Sequence, residues 1–259
     1  MTGRRRPRER WKATRREPFG AVAGPVNLGN TARMSLVLDP HVRLPEGLSH
    51  LRDLMSAYAR RTPVRTVAAL GNAPLSASEE RADAIDAADL VIRVNSFVLD
   101  EPARGRAQGR RADVVVWNRI TRPTKFTFDR YRERLYLLAE PMRAHGFPEV
   151  WPVSWPADLG LVPLSNRDVL GRIGDELEVP WREERLAPTT GMTAAWLAVT
   201  LFPEAQVLLS GYSFVDNPNQ TGWTYQAGGW SPVAREHRID AEAALMRSWL
   251  AAGRAALLR

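Results

Sequence analysis

Cysteine is absent from the 259-residue chain, which excludes disulfides and thiolate metal sites. This absence fits a reducing compartment, and we expect a cytoplasmic protein. No apolar run approaches the ~20 residues that a membrane-spanning helix needs, and no apolar stretch near the start resembles a signal peptide. The histidines are scattered without the ligand spacing of a metal site; they are His41, His50, His145 and His237.

The net charge of +7 is confined to the first 33 residues, which hold nine basic residues against Glu9 and Glu17. Residues 34–259 carry equal numbers of basic and acidic side chains. A strongly basic segment such as 1–33 is typical of a solvated, disordered tail. Met34 could serve as an alternative start. We therefore expect a basic tail over 1–33 and one folded domain over 34–259. Contact of the tail with nucleic acid or anionic lipid stays an open alternative.

Short apolar runs alternate with helical patterns along the rest of the chain. Strands are expected over 64–70, 88–97, 111–118, 134–140 and 205–214, with an edge strand or loop over 149–155. Helices are expected over 50–61, 76–87, 166–178, 189–202 and from about 239 almost to the end, and a long loop over 215–236. This order predicts an α/β fold: a single Rossmann-like domain with a mostly parallel sheet and helices on both faces.

Glycines and polar residues follow the predicted strands, where ligands of such sheets bind. They are Gly71-Asn72, Arg93 to Asn95, Asn118 and Gly211-Tyr212. The amide of Asn72 and the N–H groups of its turn suit a phosphate oxygen, although an ordinary Gly-Asn turn explains the same residues. Alternation along the strand places Arg93 and Asn95 on one face. We expect all these residues to share one rim of the sheet.

A hydroxyl-rich segment opens the apolar helix at 189–202. Thr189, Thr190 and Gly191 stand where first-turn N–H groups can bind an anion, although plain helix capping explains the threonines equally well. In the long loop, Tyr225 offers a phenolic donor, or it packs within a lid.

His237 precedes the last helix, and Glu242 follows five residues later. The positive end of a helix dipole favours neutral imidazole, which can act as a base. A histidine at the surface or at a helix cap is the alternative interpretation.

The order of these segments resembles the motifs of the sialyltransferase family. "GNAPL" followed by "DLVIRVNSF" is similar to the large donor-binding motif, and "PTTGMTAAWLAVTLFPEAQVLLSGYSF" is similar to the small motif. "HRIDAE" resembles the closing His-x4-Glu motif, and "RVNSF" and "LLSGYSF" also resemble bacterial lipooligosaccharide sialyltransferases. The sequence departs from the family at Thr224, where a histidine is common, and at Val215, where bacterial members carry tyrosine.

The resemblance implies inverting, metal-independent transfer of a sugar from a CMP-activated donor, sialic acid or a related acid sugar, to an unknown hydroxyl acceptor on a GT-A-variant-like fold. No cofactor beyond the donor is expected. By matching position, Asn72 and Asn95 would contact CMP, and residues 189–191 would line the nucleotide and sugar. Tyr225 would hold the leaving phosphate, His237 would be the general base, and Glu242 would orient the last helix.

Two other functions stay open on the same residues. One is a non-catalytic nucleotide-binding module of the same fold. The other is a methyltransferase that uses "AALGNAP" for S-adenosylmethionine, although its usual Gly-x-Gly turn is absent.

Overall fold

A computed structural model describes residues 44–102, 105–140 and 154–259. The predicted tail and its boundary at residue 34 lie outside these residues. The strands are β1 (Thr66–Leu70), β2 (Leu90–Val94), β3 (Val114–Trp117), β4 (Leu135–Leu138), β5 (Val162–Pro163), β6 (Gln206–Ser210), β7 (Gly222–Thr224), β8 (Trp230–Pro232) and β9 (Ala256–Leu257). The α-helices are α1 (Glu46–Ser56), α2 (Glu79–Ala87), α3 (Gly171–Glu176), α4 (Thr190–Leu201), α5 (Ser213–Asp216) and α6 (Ile239–Ala251). A 3-10 helix spans Tyr131–Glu133, and a π-helical turn spans Asn166–Leu170.

Seven strands form one sheet in the order β5-β4-β3-β2-β1-β6-β9, and every neighbouring pair in it is parallel. Val67 of β1 lies opposite Leu90 on one side and Val207 on the other. The chain moves outward from β1 to β5 and then returns to the opposite side of β1 with β6. The strand order therefore reverses between β1 and β6, which is where α/β sheets of this kind bind ligands.

Both faces of the sheet are covered, as the sequence predicts. Val67 and Ala69 face a core that includes α1, α4 and α6, whereas Ala68 and Leu70 face Ile85 of α2. Helix α4 lies across the centre of the sheet, and it is apolar on nearly all sides because both its sheet side and its outer side are buried.

Beyond α2, aromatic side chains of the described residues cover part of the second face. Trp117 and Tyr136 project from β3 and β4 and pack against Phe97 and Phe128 from the following loops. The rings of Trp117 and Phe128 have centroids 5.6 Å apart. This cluster holds the loops that follow β2 and β3.

The predicted strands over 64–70, 88–97, 111–118 and 134–140 and the helices over 76–87, 166–178 and 189–202 are confirmed within a few residues. The strand predicted over 205–214 ends early, at Ser210. The predicted strand residues Ser213 and Phe214 instead form the start of α5. The prediction that the last helix runs almost to residue 259 is wrong. Gly253 has a φ of 67° and ends the helical path, and Ala256–Leu257 then pair with β6 as β9.

Other parts of the chain differ from the prediction in smaller ways. The loop over 215–236 contains an antiparallel hairpin of β7 and β8. The edge strand β5 lies at Val162–Pro163, where no strand is expected, and most of the segment 149–155 lies outside the described residues. None of the helices that the structure describes is long and apolar enough to cross a membrane.

Candidate functional site

A cavity of about 390 Å³ opens at the carboxyl ends of the central strands, at the point where the strand order reverses. It is lined by all but two of the residues that the sequence nominates for the site or expects at the same rim. They include Gly71, Asn72, Asn95, Asn118, Thr189, Thr190, Gly191, Gly211, Tyr212, Tyr225 and His237. Segments separated by up to 166 positions along the chain therefore meet in one place, whereas Arg93 and Glu242 lie outside the lining.

The floor of the cavity is made by two glycine turns that touch. A Cβ on Gly71 would lie 2.2 Å from the carbonyl oxygen of Gly211, so no larger residue fits there. Gly211 has a φ of 75°, in the left-handed region that favours glycine. The N–H of Gly71 donates to Ser210, and the N–H of Ala73 donates to Gly211, so the ends of β1 and β6 are joined by hydrogen bonds.

The same hydrogen bonds change the expected role of the first turn. Because the N–H groups of Gly71 and Ala73 already donate to β6 and its turn, they do not form a cradle for phosphate. The side-chain nitrogen Nδ2 of Asn72 donates to the carbonyl of Val94 at 2.9 Å. Asn72 therefore joins the ends of β1 and β2, and its second Nδ2 hydrogen and its Oδ1 remain for a ligand.

The structure separates the two polar residues that the sequence places together at the end of β2. Asn95 adopts a φ of 45° and lines the cavity, and its buried Oδ1 has no partner among the described residues. Arg93 turns away beneath the sheet, where its guanidinium donates to the carbonyls of Arg111 and Gln108. Desolvation lowers the pKa of Arg93 to about 10 despite nearby aspartates. Arg93 supports the loop after β2 and lies outside the cavity.

The N-terminus of α4 presents hydrogen-bond donors to the cavity. The hydroxyl of Thr189 caps the helix by accepting from the N–H of Met192 at 3.0 Å. The N–H groups of Thr190 and Gly191 have no acceptor within the described residues, and both residues line the cavity. These two N–H groups and the hydroxyl of Thr190 can hold an anionic oxygen at the positive end of the helix.

Glu242 of α6 fixes this helix start from behind. Its carboxylate accepts from the N–H of Thr189 at 2.7 Å and from the Thr189 hydroxyl at 2.6 Å, and it is fully buried. Burial raises the pKa of Glu242 to about 7, against the lowering effect of the two hydrogen bonds from Thr189. Glu242 thus joins α6 to α4 and does not itself reach the cavity.

This buried carboxyl predicts a pH-dependent loss of stability. Between pH 4.5, the ordinary pKa, and pH 7, the unfolded chain loses the Glu242 proton while the folded chain keeps it. Stability from this group is therefore lost as the pH rises through that window, by about 3 kcal/mol at most. Urea unfolding of the wild type and of Glu242→Gln measures this effect. The unfolding free energy of the wild type minus that of the variant should fall from about pH 5 to about pH 8. A constant difference between the two proteins would contradict this.

The hairpin of β7 and β8 forms one wall and is attached to the first turn. The N–H of Gln226 donates to the carbonyl of Asn72 at 2.8 Å, and the side-chain oxygen of Gln226 accepts from the N–H of Leu75. Tyr225 and Ser231 share a hydrogen bond of 2.5 Å between their hydroxyls, and both line the cavity. Whichever hydroxyl donates to the other, one proton remains for a ligand oxygen.

His237 lies across the cavity mouth, two residues before α6. Its Nδ1 is 2.8 Å from the carbonyl oxygen of Ala187, which can only accept, so Nδ1 carries the proton of this bond. In the neutral ring, Nε2 on the opposite edge then holds a lone pair. With this tautomer, Nε2 is the ring nitrogen that can accept a proton.

Asn118 and Tyr212, which the sequence places at the same rim, line the cavity as expected, and Ser213 and Trp223 line it without having been nominated. Asn118 follows β3, and its Oδ1 accepts from Ile120, which leaves its NH2 group as a donor. The ring of Tyr212 packs against Gly191, where a Cβ would lie 3.3 Å from Cε1. Desolvation raises the pKa of the buried Tyr212 phenol. Asn118 and Tyr212 can be found from the sequence because each follows a predicted strand. No sequence pattern marks Ser213 or Trp223.

The described lining has no carboxylate, ammonium or guanidinium group. Any anionic ligand there would be held by neutral N–H and O–H donors rather than by ion pairs. Such donors act more strongly on a ligand that displaces water from the cavity.

No protein-family model matches the sequence, and no curated protein matches it. Among solved structures, a mammalian sialyltransferase in complex with Gal-beta-1-3GalNAc-ortho-nitrophenol is similar with a TM-score of 0.47 and 15% identity, over 75% of this chain and 69% of that chain. A second structure of a mammalian sialyltransferase is similar with a TM-score of 0.46 and 16% identity, over 86% of this chain and 82% of that chain. Similarities at this level carry no argument for what this chain binds or does.

Proposed function

We propose that this chain is an inverting glycosyltransferase that moves an acidic sugar, sialic acid or a related one, from its CMP-activated form to a hydroxyl acceptor. The observation that carries the proposal is the position of His237. His237, whose tautomer is fixed by Ala187, is part of the lining of a cavity with neutral donors at the switch point of a parallel sheet. The choice of CMP as the nucleotide rests on the resemblance of the motifs to those of sialyltransferases.

The cavity offers two separate sets of neutral donors for such a ligand. One is the start of α4, with the N–H groups of Thr190 and Gly191. The other is the hydroxyl pair of Tyr225 and Ser231. A CMP-linked acid sugar carries two anionic groups, a phosphate and a carboxylate, and two donor sets can hold both. The Oδ1 of Asn95 can accept a hydrogen bond from an amine or hydroxyl group of the nucleoside.

The reaction then needs one proton transfer. The acceptor oxygen forms a bond to the anomeric carbon while the bond from that carbon to the phosphate oxygen breaks, with inversion. The bonding electron pair leaves on CMP, and the acceptor proton moves to Nε2 of His237. Neutral donors at the phosphate stabilise the charge that develops there. No metal takes part in the proposed reaction, and the described part of the lining has no carboxylate that would hold one.

Calorimetry with CMP and with S-adenosylmethionine tests the proposed ligand class. We expect CMP to bind with one site per chain and S-adenosylmethionine not to bind. Binding of the methyl donor alone would favour the methyltransferase alternative and contradict the proposal.

Replacing Thr190 by valine should weaken CMP binding about 10- to 150-fold. The change removes a hydroxyl from the cavity but keeps the shape of the side chain, and one lost hydrogen bond to a charged group is worth about 1.5–3 kcal/mol. Thr200→Val in the last turn of the same helix is the matched control, because Thr200 is outside the lining. Equal CMP affinity for both variants would remove the start of α4 from the binding site.

A further inference from the structure

The backbone of Ala187 is bonded twice to the stretch of chain that carries His237. Its N–H donates to the carbonyl of Glu236 at 2.9 Å, and its carbonyl accepts from Nδ1 of His237 at 2.8 Å. Ala187 itself lies in the irregular connection between α3 and α4. The place of its carbonyl, and with it the tautomer of His237, therefore depends on what holds this connection.

Trp181 anchors the connection to α3. Its indole Nε1 donates to Oδ1 of Asp175 at 2.7 Å, and its ring lies directly against a glycine of the same helix. A Cβ on Gly174 would lie 2.5 Å from Cδ1 of the indole, so no larger residue fits there unless the ring moves. The carbonyl of Trp181 accepts from the N–H of Leu186 at 2.9 Å, which extends the anchor to the residue before Ala187.

The same indole also lies beside the chain around the base. A small void of about 10 Å³ is lined by Trp181, by Ala187 and by the residues on either side of His237. A second tie, from Arg238 to Glu184 at 2.5 Å, joins side chains that are 37% and 50% exposed. Because exposed ion pairs contribute little, Trp181 is the stronger of the two anchors. It lies outside the lining of the large cavity, so it can act on a ligand there only through other residues.

Resting on the proposed function, we infer that Trp181 is a positioning residue for His237. Packed on Gly174, it keeps the carbonyl of Ala187 where Nδ1 of the ring donates to it, so that Nε2 keeps its lone pair. Without this bond, the proton of a neutral imidazole is shared between two tautomers. A ring that carries the proton on Nε2 cannot take another from the acceptor hydroxyl.

The start of α4 has a separate support. Glu242 of α6 holds Thr189 by two hydrogen bonds, to its N–H and to its hydroxyl. Loss of the Trp181 anchor should therefore alter the ring of His237 and leave the donors at the start of α4 in place.

Proton–nitrogen NMR correlation spectra of the imidazole test the inference, because the two tautomers of neutral histidine give different patterns. The signals of His237 are those that disappear in His237→Asn, and they are compared at a pH above which they no longer change. We expect the Nδ1–H tautomer in the wild type and a mixture of tautomers in Trp181→Ala. A wild type with its proton on Nε2, or an unchanged tautomer in Trp181→Ala, would overturn the inference.

Two further variants keep the test valid if Trp181→Ala does not fold. Gly174→Ala keeps the indole but places a Cβ against it, and should also give a mixture of tautomers. Trp181→Phe keeps a ring on Gly174 and should keep most of the wild-type pattern. Gly47→Ala in α1 is the matched control, because nothing lies within 4 Å of a Cβ at that position. Identical spectra of Gly174→Ala and this control would overturn the inference.

Turnover gives a second readout, which a loss of stability alone would not change in the same way. The kcat for release of CMP from a CMP-sugar should fall about 10- to 100-fold in Trp181→Ala, the scale of a displaced catalytic group. The affinity for CMP should stay within a few-fold of the wild type. Weaker CMP binding with an unchanged kcat would contradict a positioning role. The spectra need no turnover and test the anchoring of His237 separately, whereas failure of CMP to bind would contradict the proposed function.

Discussion

Replacing His237 by asparagine should lower the rate of sugar transfer by about 10²–10⁴-fold, the usual contribution of a general base. Asparagine places an N–H2 group near the position of Nδ1, so the hydrogen bond to the carbonyl of Ala187 can persist. What it removes is the lone pair of Nε2. The loss should therefore appear in kcat, while the affinity for CMP stays within a few-fold of the wild type.

Two further variants distinguish the effect of losing the base from the effect of losing the hydrogen bond to Ala187. His237→Ala removes both the base and the contact with Ala187, and should lower stability as well as the rate. His50→Asn changes an exposed histidine of α1 and should leave both unchanged. Turnover by His237→Asn at more than about a tenth of the wild-type rate would exclude His237 as the base.

Replacing Gly71 by alanine should destabilise the protein by about 3 kcal/mol, at the upper end of the effects of overpacking. The added Cβ would lie 2.2 Å from the oxygen and 2.9 Å from the carbon of the Gly211 carbonyl. Both atoms are backbone, so neither can rotate away. The ends of β1 and β6 must separate, which breaks the hydrogen bond between Ala73 and Gly211 and deforms the cavity floor.

Urea unfolding and CMP calorimetry measure the two consequences. CMP binding should be lost or reduced more than tenfold, beyond what the lower stability explains in the fraction that remains folded. Gly160→Ala is the control, because nothing lies within 4 Å of a Cβ at that position. If Gly71→Ala were as stable as this control, the close packing of the two turns would not exist in solution.

Local patterns were sufficient to predict the sheet and to predict that residues after separate strands meet at one edge of it. The apolar runs of β1 to β4 are buried on both faces of a parallel sheet, so burial produces unbroken runs that are easily recognised. Because parallel strands end at one edge, residues after separate strands meet without any knowledge of strand order. This is why Asn72, Asn95 and Gly211 could be placed together from the sequence.

The partners of individual side chains could not be predicted in this way. That one hydrogen of the Asn72 amide donates to Val94 depends on the distance between two strand ends, which no local pattern contains. Arg93 follows the predicted alternation, yet its long side chain reaches the loop at Gln108 instead of the cavity. The end of α6 was missed because the apolar residues after Gly253 continue a helical pattern, whereas the glycine turns the chain into β9.

The most direct test of the account is the rate of CMP release from CMP-sialic acid and other CMP-linked sugars, with and without added glycoside. The account predicts saturable release from at least one CMP-linked acid sugar by the wild type, and release near background by His237→Asn at the same CMP affinity. Tight binding of CMP with no release from any CMP-sugar would contradict it and would identify the chain as a nucleotide-binding module of the same fold.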